Sequence, residues 1–332
     1  MIHPWIFEFA NSTPAPGVPL YDWYLDLWQQ AEQTGFEGIF FSEHHFHPGA
    51  ASPSPHLLIA AVAMRTSTLR LGVMGSVLPL HTPWRVAEEI GMLDHLTGGR
   101  LEVGYSSGIG PAETTIAGIP IDDVRPRFDE AVDIIEQALT GARFSHQGRF
   151  WHFNPMETHP RTFHSLPPRW TTVLSTGSAR AAALRGFKIC TGFISVPEAK
   201  TVFDAYREAA GGPCPDRLAL RRQVFIAPSD AEAREIGAKA ASDWRAQMSR
   251  GRGDRQRAVP DAPSRDDFMF GADEQINGSP ATVAELIIEQ CRATGAGHLM
   301  AFVYGPISRP NIERNYRLWR EVIPVLRAAA FE

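Results

Sequence analysis

Cysteine is scarce in this 332-residue chain: Cys190, Cys214 and Cys291 make 3, with no CxxC and no pairing pattern. That excludes a disulfide framework and suits a reducing cytoplasm. Long hydrophobic runs are missing too, and none approaches the ~18 apolar residues of a membrane span. The opening Met1-Ile2-His3-Pro4-Trp5 has no basic n-region and no apolar h-region, so no signal peptide is expected. Neither sign of charge dominates. A formal net charge of -5 gives no case for a nucleic-acid groove. No HExxH motif supplies a ready metal site. These absences leave a cytoplasmic enzyme without membrane or nucleic-acid partners as the expectation.

What is there is a hydrophobic content of 44%, ample for a large core. Trp5–Phe9 reads as a first strand. Tyr21–Gln33 has helical spacing, with Tyr24, Leu27, Trp28 and Ala31 on one stripe and Gly35 as its stop. Gly38–Ser42, Leu69–Leu78 and Leu101–Tyr105 read as strands two to four. Pro55–Met64, Pro83–Leu96 and Val124–Thr140 read as the helices after them, with Thr82 as a cap and Pro83 in the first helical position. After Gly141 the rhythm breaks. Phe144–Pro168 holds four Pro and four His without a period, and reads as an insertion. Rhythm resumes with strands at Trp170–Leu174, Phe187–Gly192, Leu218–Ala227 and His298–Tyr304. Helices are expected at Ser178–Leu184, Glu198–Ala209, Ala231 to about Met248, Pro280–Thr294 and Asn311–Ala329. Ser249–Asp267, with five Arg, four Asp and two Pro, reads as a mobile loop: a solvated linker, or a lid over a site.

Strands alternating with helices imply a parallel sheet with helices outside. Spacing alone does not separate a closed barrel from an open doubly wound sheet. Eight units of about 40 residues would use the whole chain, which favours one (β/α)8 TIM barrel over 1–332 rather than two smaller domains.

In such a barrel the site lies at the C-terminal strand ends. Three His and one Glu fall within five residues at the exit of strand two, in Glu43-His44-His45-Phe46-His47, before Pro48-Gly49 breaks the chain. In an extended chain Glu43, His45 and His47 share one face, and Ser42, His44 and Phe46 the other. Three readings stand: a metal site on His45 and His47, a hydrogen-bonded His pair at the rim, or His44 facing a bound cofactor. Ser175-Thr176-Gly177-Ser178 ends strand five and opens a helix. Free N–H groups, hydroxyls and a glycine there suit a phosphate, although a simple helix cap is the commoner use. Arg180 in the first turn opposes the helix dipole, and a phosphate neighbour would rationalise it. Met74-Gly75 at the end of strand three lacks charge, and reads as a rest for a flat ring or as plain core.

Several motifs together resemble the bacterial luciferase-like flavin monooxygenases. They are Glu43-His44-His45-Phe46, Leu71-Gly72-Val73, Val77 to Pro83, Glu88, Leu93-Asp94 and Gly98 to Gly104. The match is strongest over about residues 36 to 140, and is recognisable again at Ser175–Ala183 and Gly278-Ser279-Pro280. The resemblance implies a (β/α)8 barrel that takes reduced FMN from a separate NAD(P)H-dependent flavin reductase. It implies that one atom of O2 reaches a small organic substrate, in a site closed to water. By position, His44 is the active-site histidine. Met74-Gly75 lies against the isoalloxazine, where the family often has a non-proline cis peptide. Ser106 lies near the ring, and Ser175, Thr176, Gly177 and Ser178 hold the phosphate. A homodimer is expected by the same analogy. Ser107 is a departure, because the luciferase catalytic subunit has a phosphate-binding Arg there; Arg180 or backbone N–H groups are the expected substitutes. Relatives using the deazaflavin F420 for hydride transfer give the runner-up, and a flavin-binding protein without catalysis and a metal-dependent hydrolase stand behind it.

Overall fold

The computed structural model describes residues 1–10, 19–46, 51–108, 111–163, 165–243, 273–302 and 307–330. Its strands are β1 (His3–Glu8), β2 (Gly38–Phe41), β3 (Arg70–Val73), β4 (Ser76–Val77), β5 (Leu101–Ser106), β6 (Phe144–Gln147), β7 (His152–Met156), β8 (Arg169–Val173), β9 (Lys188–Thr191), β10 (Leu218–Ile226), β11 (Gln275–Gly278) and β12 (His298–Phe302). The helices are α1 (Leu20–Thr34), α2 (Pro55–Ala63), α3 (Pro83–Thr97), α4 (Pro111–Ile116), α5 (Ile121–Leu139), α6 (Thr176–Leu184), α7 (Val196–Ala210), α8 over 230–243, α9 (Pro280–Thr294) and α10 (Arg309–Ala328). Parallel pairing runs β1-β2-β3-β5-β8-β9-β10-β12, and β12 pairs back on β1. The sheet is therefore closed, a (β/α)8 barrel with helices outside. No described helix is long and apolar enough to cross a membrane.

Alternation along each strand builds two layers. Ile6, Ile39, Phe41, Leu220 and Leu299 pack outward beneath the helices. Trp5, Phe7, Phe40, Trp170, Ala219, Met300 and Phe302 point into the barrel. The lower half of the lumen is filled. Trp5 Nε1 donates to His298 Nδ1 (3.0 Å), and Trp170 Nε1 donates to Glu102 Oε2 (2.6 Å). Burial first, then Lys188 nearby, brings the His298 pKa down to about 3, so it stays neutral in this packing. Gly72 makes room for these rings, since a Cβ there would stand 2.5 Å from Phe40. With the floor packed, the lumen is left open toward the C-terminal strand ends.

Several expectations need correction. The strand expected over Leu69–Leu78 is two pieces, β3 and β4, separated by a cis Met74–Gly75 bond and followed by a 3-10 turn at Leu78–Leu80. The helix expected at Val124–Thr140 starts a turn earlier, with Asp122 and Asp123 in its first turn, where the helix dipole favours carboxylates. The insertion is not featureless. β6 and β7 form an antiparallel hairpin whose turn is tied to α5: the Arg149, Phe150 and Trp151 N–H groups all donate to the Glu130 carboxylate, at 3.0–3.2 Å. α4 and β11 were not anticipated. His47, Val303, Tyr304 and the Ser249–Asp267 loop lie outside the described residues.

Candidate active site

A cavity of about 360 Å3 opens at the C-terminal ends of the strands, a size suited to a cofactor-scale ligand. His44, Met74, Gly75, Ser106, Ser107, Ser175 and Ser178 all stand on its wall, whereas Thr176 and Gly177 do not.

Phe40 points into the barrel from β2, and continuing that alternation carries Ser42 and His44 to the cavity. The chain ends nearby turn sharply: Ala10 and Phe46 take φ of 38° and 56°, uncommon for residues with side chains. The His44 ring lies 4.5 Å from that of Phe9, and its Nδ1 donates to Glu113 Oε1 at 3.2 Å. That bond selects the neutral tautomer whose Nε2 is left as an acceptor. Glu113 also accepts from the His45 backbone N–H at 3.2 Å, so α4 locks this whole turn. Glu113 carries no motif, and it sits on a helix the periodicity did not reveal.

Glu43 also reaches the cavity wall, but its carboxylate is taken up by other groups. Its Oε1 accepts from His45 Nε2 (2.9 Å) and His81 Nε2 (2.7 Å), and its Oε2 accepts from the Val77 N–H (3.1 Å). Burial alone would raise this carboxyl, but the hydrogen bonds from His45 and His81, with the charge of His81, bring it down to about 2. The bond to Glu43 in turn raises His45 above its ordinary value. The three ligand atoms of Glu43, His45 and His81 lie within 4.8 Å of one another. Among the described residues His45 thus belongs to a His45–Glu43–His81 network; the reading that pairs it with His47 falls outside the described residues.

The ledge opposite is backbone. A Cβ on Gly75 would stand 2.7 Å from the Tyr105 carbonyl carbon, so only glycine lets the cis Met74–Gly75 unit lie against β5. Ser106 at the end of β5 accepts from the Gly108 N–H at 3.0 Å. Below the ledge, Ser76 Oγ lies 3.2 Å from His56 Nε2, and His56 Nδ1 donates to Glu89 at 2.7 Å. This has the form of an acyl-transfer triad. Ser76 is 2% exposed, however, and the space beside it is about 10 Å3, room for about one water, so no substrate fits.

The third wall is the start of α6. Ser175 caps the helix: its Oγ accepts from the Ser178 N–H (3.2 Å), while Ser178 Oγ donates to the Ser175 carbonyl (2.9 Å). Among the described residues, the Thr176 and Gly177 N–H groups have no hydrogen-bond partner. Arg180 does not turn toward the cavity. It donates to Glu208 at 2.8 Å on the outer surface. Two cations on the wall are Arg125, which donates to Asp129 (2.9 Å), and Arg185 at the far end of α6, which donates to Asp133 (2.8 Å). A third cation, Arg221, reaches the wall from β10. Two arginines inside the apolar run Leu218–Ala227 were a signal that the sequence reading passed over.

A family profile described as luciferase-like monooxygenase matches residues 6–298. The chain belongs to that family. It is accordingly an enzyme, an oxidoreductase of the monooxygenase class. The uncharacterized protein y4wF of Sinorhizobium fredii is 33% identical over 307 residues, covering 90% of this chain and 89% of its own. Among solved structures, the monooxygenase RslO1 of Streptomyces bottropensis aligns with a TM-score of 0.86 at 26% identity, covering 98% of this chain and 100% of its own. The FMN-bound oxygenating constituent of 3,6-diketocamphane monooxygenase from Pseudomonas putida aligns with a TM-score of 0.81 at 24% identity, covering 98% of each chain. At that identity the second structure speaks for the shared fold alone.

Proposed function

We propose that this protein is the oxygenase half of a two-component system, using reduced FMN and O2 to oxygenate a small organic substrate. The observation that carries this reading is convergence: the Met74–Gly75 ledge, the capped start of α6 at Ser175 and Ser178, and His44 share one cavity. That donor set fits FMN. The Thr176 and Gly177 N–H groups and the Ser178 hydroxyl would hold a phosphate, with Arg125 and Arg185 supplying the positive charge that Ser107 lacks. The flat Met74–Gly75 backbone would seat the ring beside Ser106. When bound, reduced flavin supplies the electrons that activate O2; the protein binds, orients and keeps water out. His44 would hold or move a proton at its Nε2, with Glu113 fixing the ring. A separate NAD(P)H-dependent reductase would return the flavin to its reduced form.

His44→Ala should leave FMN affinity nearly unchanged and slow the O2-dependent consumption of bound reduced FMN by about 100-fold. Consumption within a few-fold of wild type would remove His44 from the chemistry. Titration with FMN and with F420, each read by fluorescence, separates this reading from hydride transfer. Saturable binding of F420 but not FMN would overturn it.

A further inference from the structure

One cation of the cavity is unexplained by the flavin reading. Arg221 is 4% exposed, and it points inward from β10 between Ala219 below and Gln223 above. Its guanidinium carbon lies 3.9 Å from the centroid of the Phe193 ring and 4.8 Å from that of Phe7. Among the described residues its Nε and Nη2 are buried without a hydrogen-bond partner, and the Glu274 carboxylate acts on it through charge alone. Its neighbour Arg222 points the other way and donates to Gln290 Oε1 (2.6 Å) and the Ile194 carbonyl (3.1 Å). A buried guanidinium without its hydrogen bonds costs stability. A fold keeps such a group where a ligand supplies what is missing.

The cavity divides into two halves. β3, β5 and the β8–α6 junction carry the ledge and the phosphate cradle. The opposite side is aromatic. Phe193 and Phe7 lie 5.8 and 6.0 Å from Phe302, Phe302 lies 6.0 Å from Phe9, and Phe9 lies 4.5 Å from His44. Of these rings Phe7 stands on the cavity wall with Arg221 and His44, while Phe193, Phe302 and Phe9 belong to the packing around it. The carboxylates at the cavity are already engaged: Glu43 by His45 and His81, Glu113 by His44, and Asp129 by Arg125.

We propose that Arg221 is a substrate-specificity residue that receives an anionic oxygen (a carboxylate, phenolate or enolate) while Phe7, beside it on the wall, takes the apolar body of the same molecule. The assignment to substrate rests on reading the other half as the flavin seat. It excludes neutral hydrocarbons as the preferred substrates.

The test compares three acids, benzoate, cyclohexanecarboxylate and octanoate, with their amides. Binding to FMN-loaded and FMN-free full-length protein is read by tryptophan fluorescence, for wild type, Arg221→Met and Arg221→Lys. Wild type should bind at least one acid about tenfold more tightly than its amide, a difference of about 1.4 kcal/mol. Arg221→Met should lose that preference, and Arg221→Lys should keep part of it. Ligand-free Arg221→Met should melt at or above the wild-type temperature, because an unpaired buried charge has gone. Equal binding of acids and amides by wild type would overturn the proposal, as would a preference that survives Arg221→Met. A lower melting temperature in both variants would make Arg221 structural, and would also overturn it. Loss of FMN affinity by about tenfold in Arg221→Met, with no acid preference in wild type, would assign the cation to the flavin instead. An acid preference in a wild type that fails to bind FMN would support the receptor and refute the flavin reading.

Discussion

At the scale of single residues, His44 and Glu43 are neighbours with opposite duties. His44 faces the cavity with one nitrogen held by Glu113. Glu43, at the same cavity, has its carboxylate committed to two other histidines. Glu113→Ala should lower the rate of reduced-FMN consumption by about tenfold and change its pH profile, while Glu113→Gln, which can still accept from Nδ1, should recover most of the rate. A pH profile identical to wild type in Glu113→Ala would make Glu113 a packing residue only. The Glu43 network predicts a stability window. The Glu43 carboxyl falls from its ordinary 4.5 to about 2 on folding, so its contribution, about 3 kcal/mol, is present above pH 4.5 and is lost as pH falls toward 2. His45 is raised on folding, so its contribution is full below its ordinary 6.5 and is lost as pH rises through the folded value. The cluster should therefore stabilise most between about pH 4.5 and 6.5. Glu43→Gln should flatten both limbs in urea unfolding across pH; an unchanged pH dependence would contradict the network. The place of His44 at the cavity was legible from strand alternation, which puts it on the face of Phe40 and Ser42, while its role came from the family resemblance. Its partner was not, because Glu113 lies 69 residues away and carries no local pattern.

At the scale of elements, α6 and the β3–β4 break shape the cavity. Ser175-Thr176-Gly177-Ser178 reads as a phosphate cradle, and the folded helix start keeps that chemistry but divides the labour. Ser175 and Ser178 stand on the wall and cap one another; Thr176 and Gly177 offer only backbone N–H groups. Ser175→Ala should cost about 1 kcal/mol of stability, read as a lower melting temperature, through loss of the cap. Thr176→Ala should leave FMN affinity unchanged, since its side chain is not on the wall. A loss of affinity in that variant would show that the hydroxyl takes part. The insertion Phe144–Pro168 had no period because a short hairpin held by one carboxylate, Glu130, leaves none. None of its described residues lines the cavity. β3 and β4 read as one long strand because apolar residues continue through Met74 and Val77 and both pieces run parallel to β5, so the break between them leaves no mark in apolar periodicity.

For the whole molecule, alternation was the decisive signal. Apolar strands spaced between amphipathic helices predicted a parallel sheet, and the glycine-rich, polar strand ends pointed to one face as the site. Closure of the barrel was not legible from spacing, because it depends on β12 reaching β1 and on rings filling the lumen. The packed floor of Trp5, Phe40, Trp170 and His298 confines chemistry to the C-terminal mouth. Binding there should stabilise the native state: FMN at 100 times its Kd should add about 2.7 kcal/mol and raise the melting temperature. The central claim is that this mouth seats FMN through the start of α6. The most direct measurement is an anaerobic equilibrium titration with reduced FMN of wild type and of the Ser175→Ala, Ser178→Ala double variant. The account predicts saturable one-to-one binding by wild type, weakened by about tenfold in the variant. Equal affinity in a folded variant would contradict it.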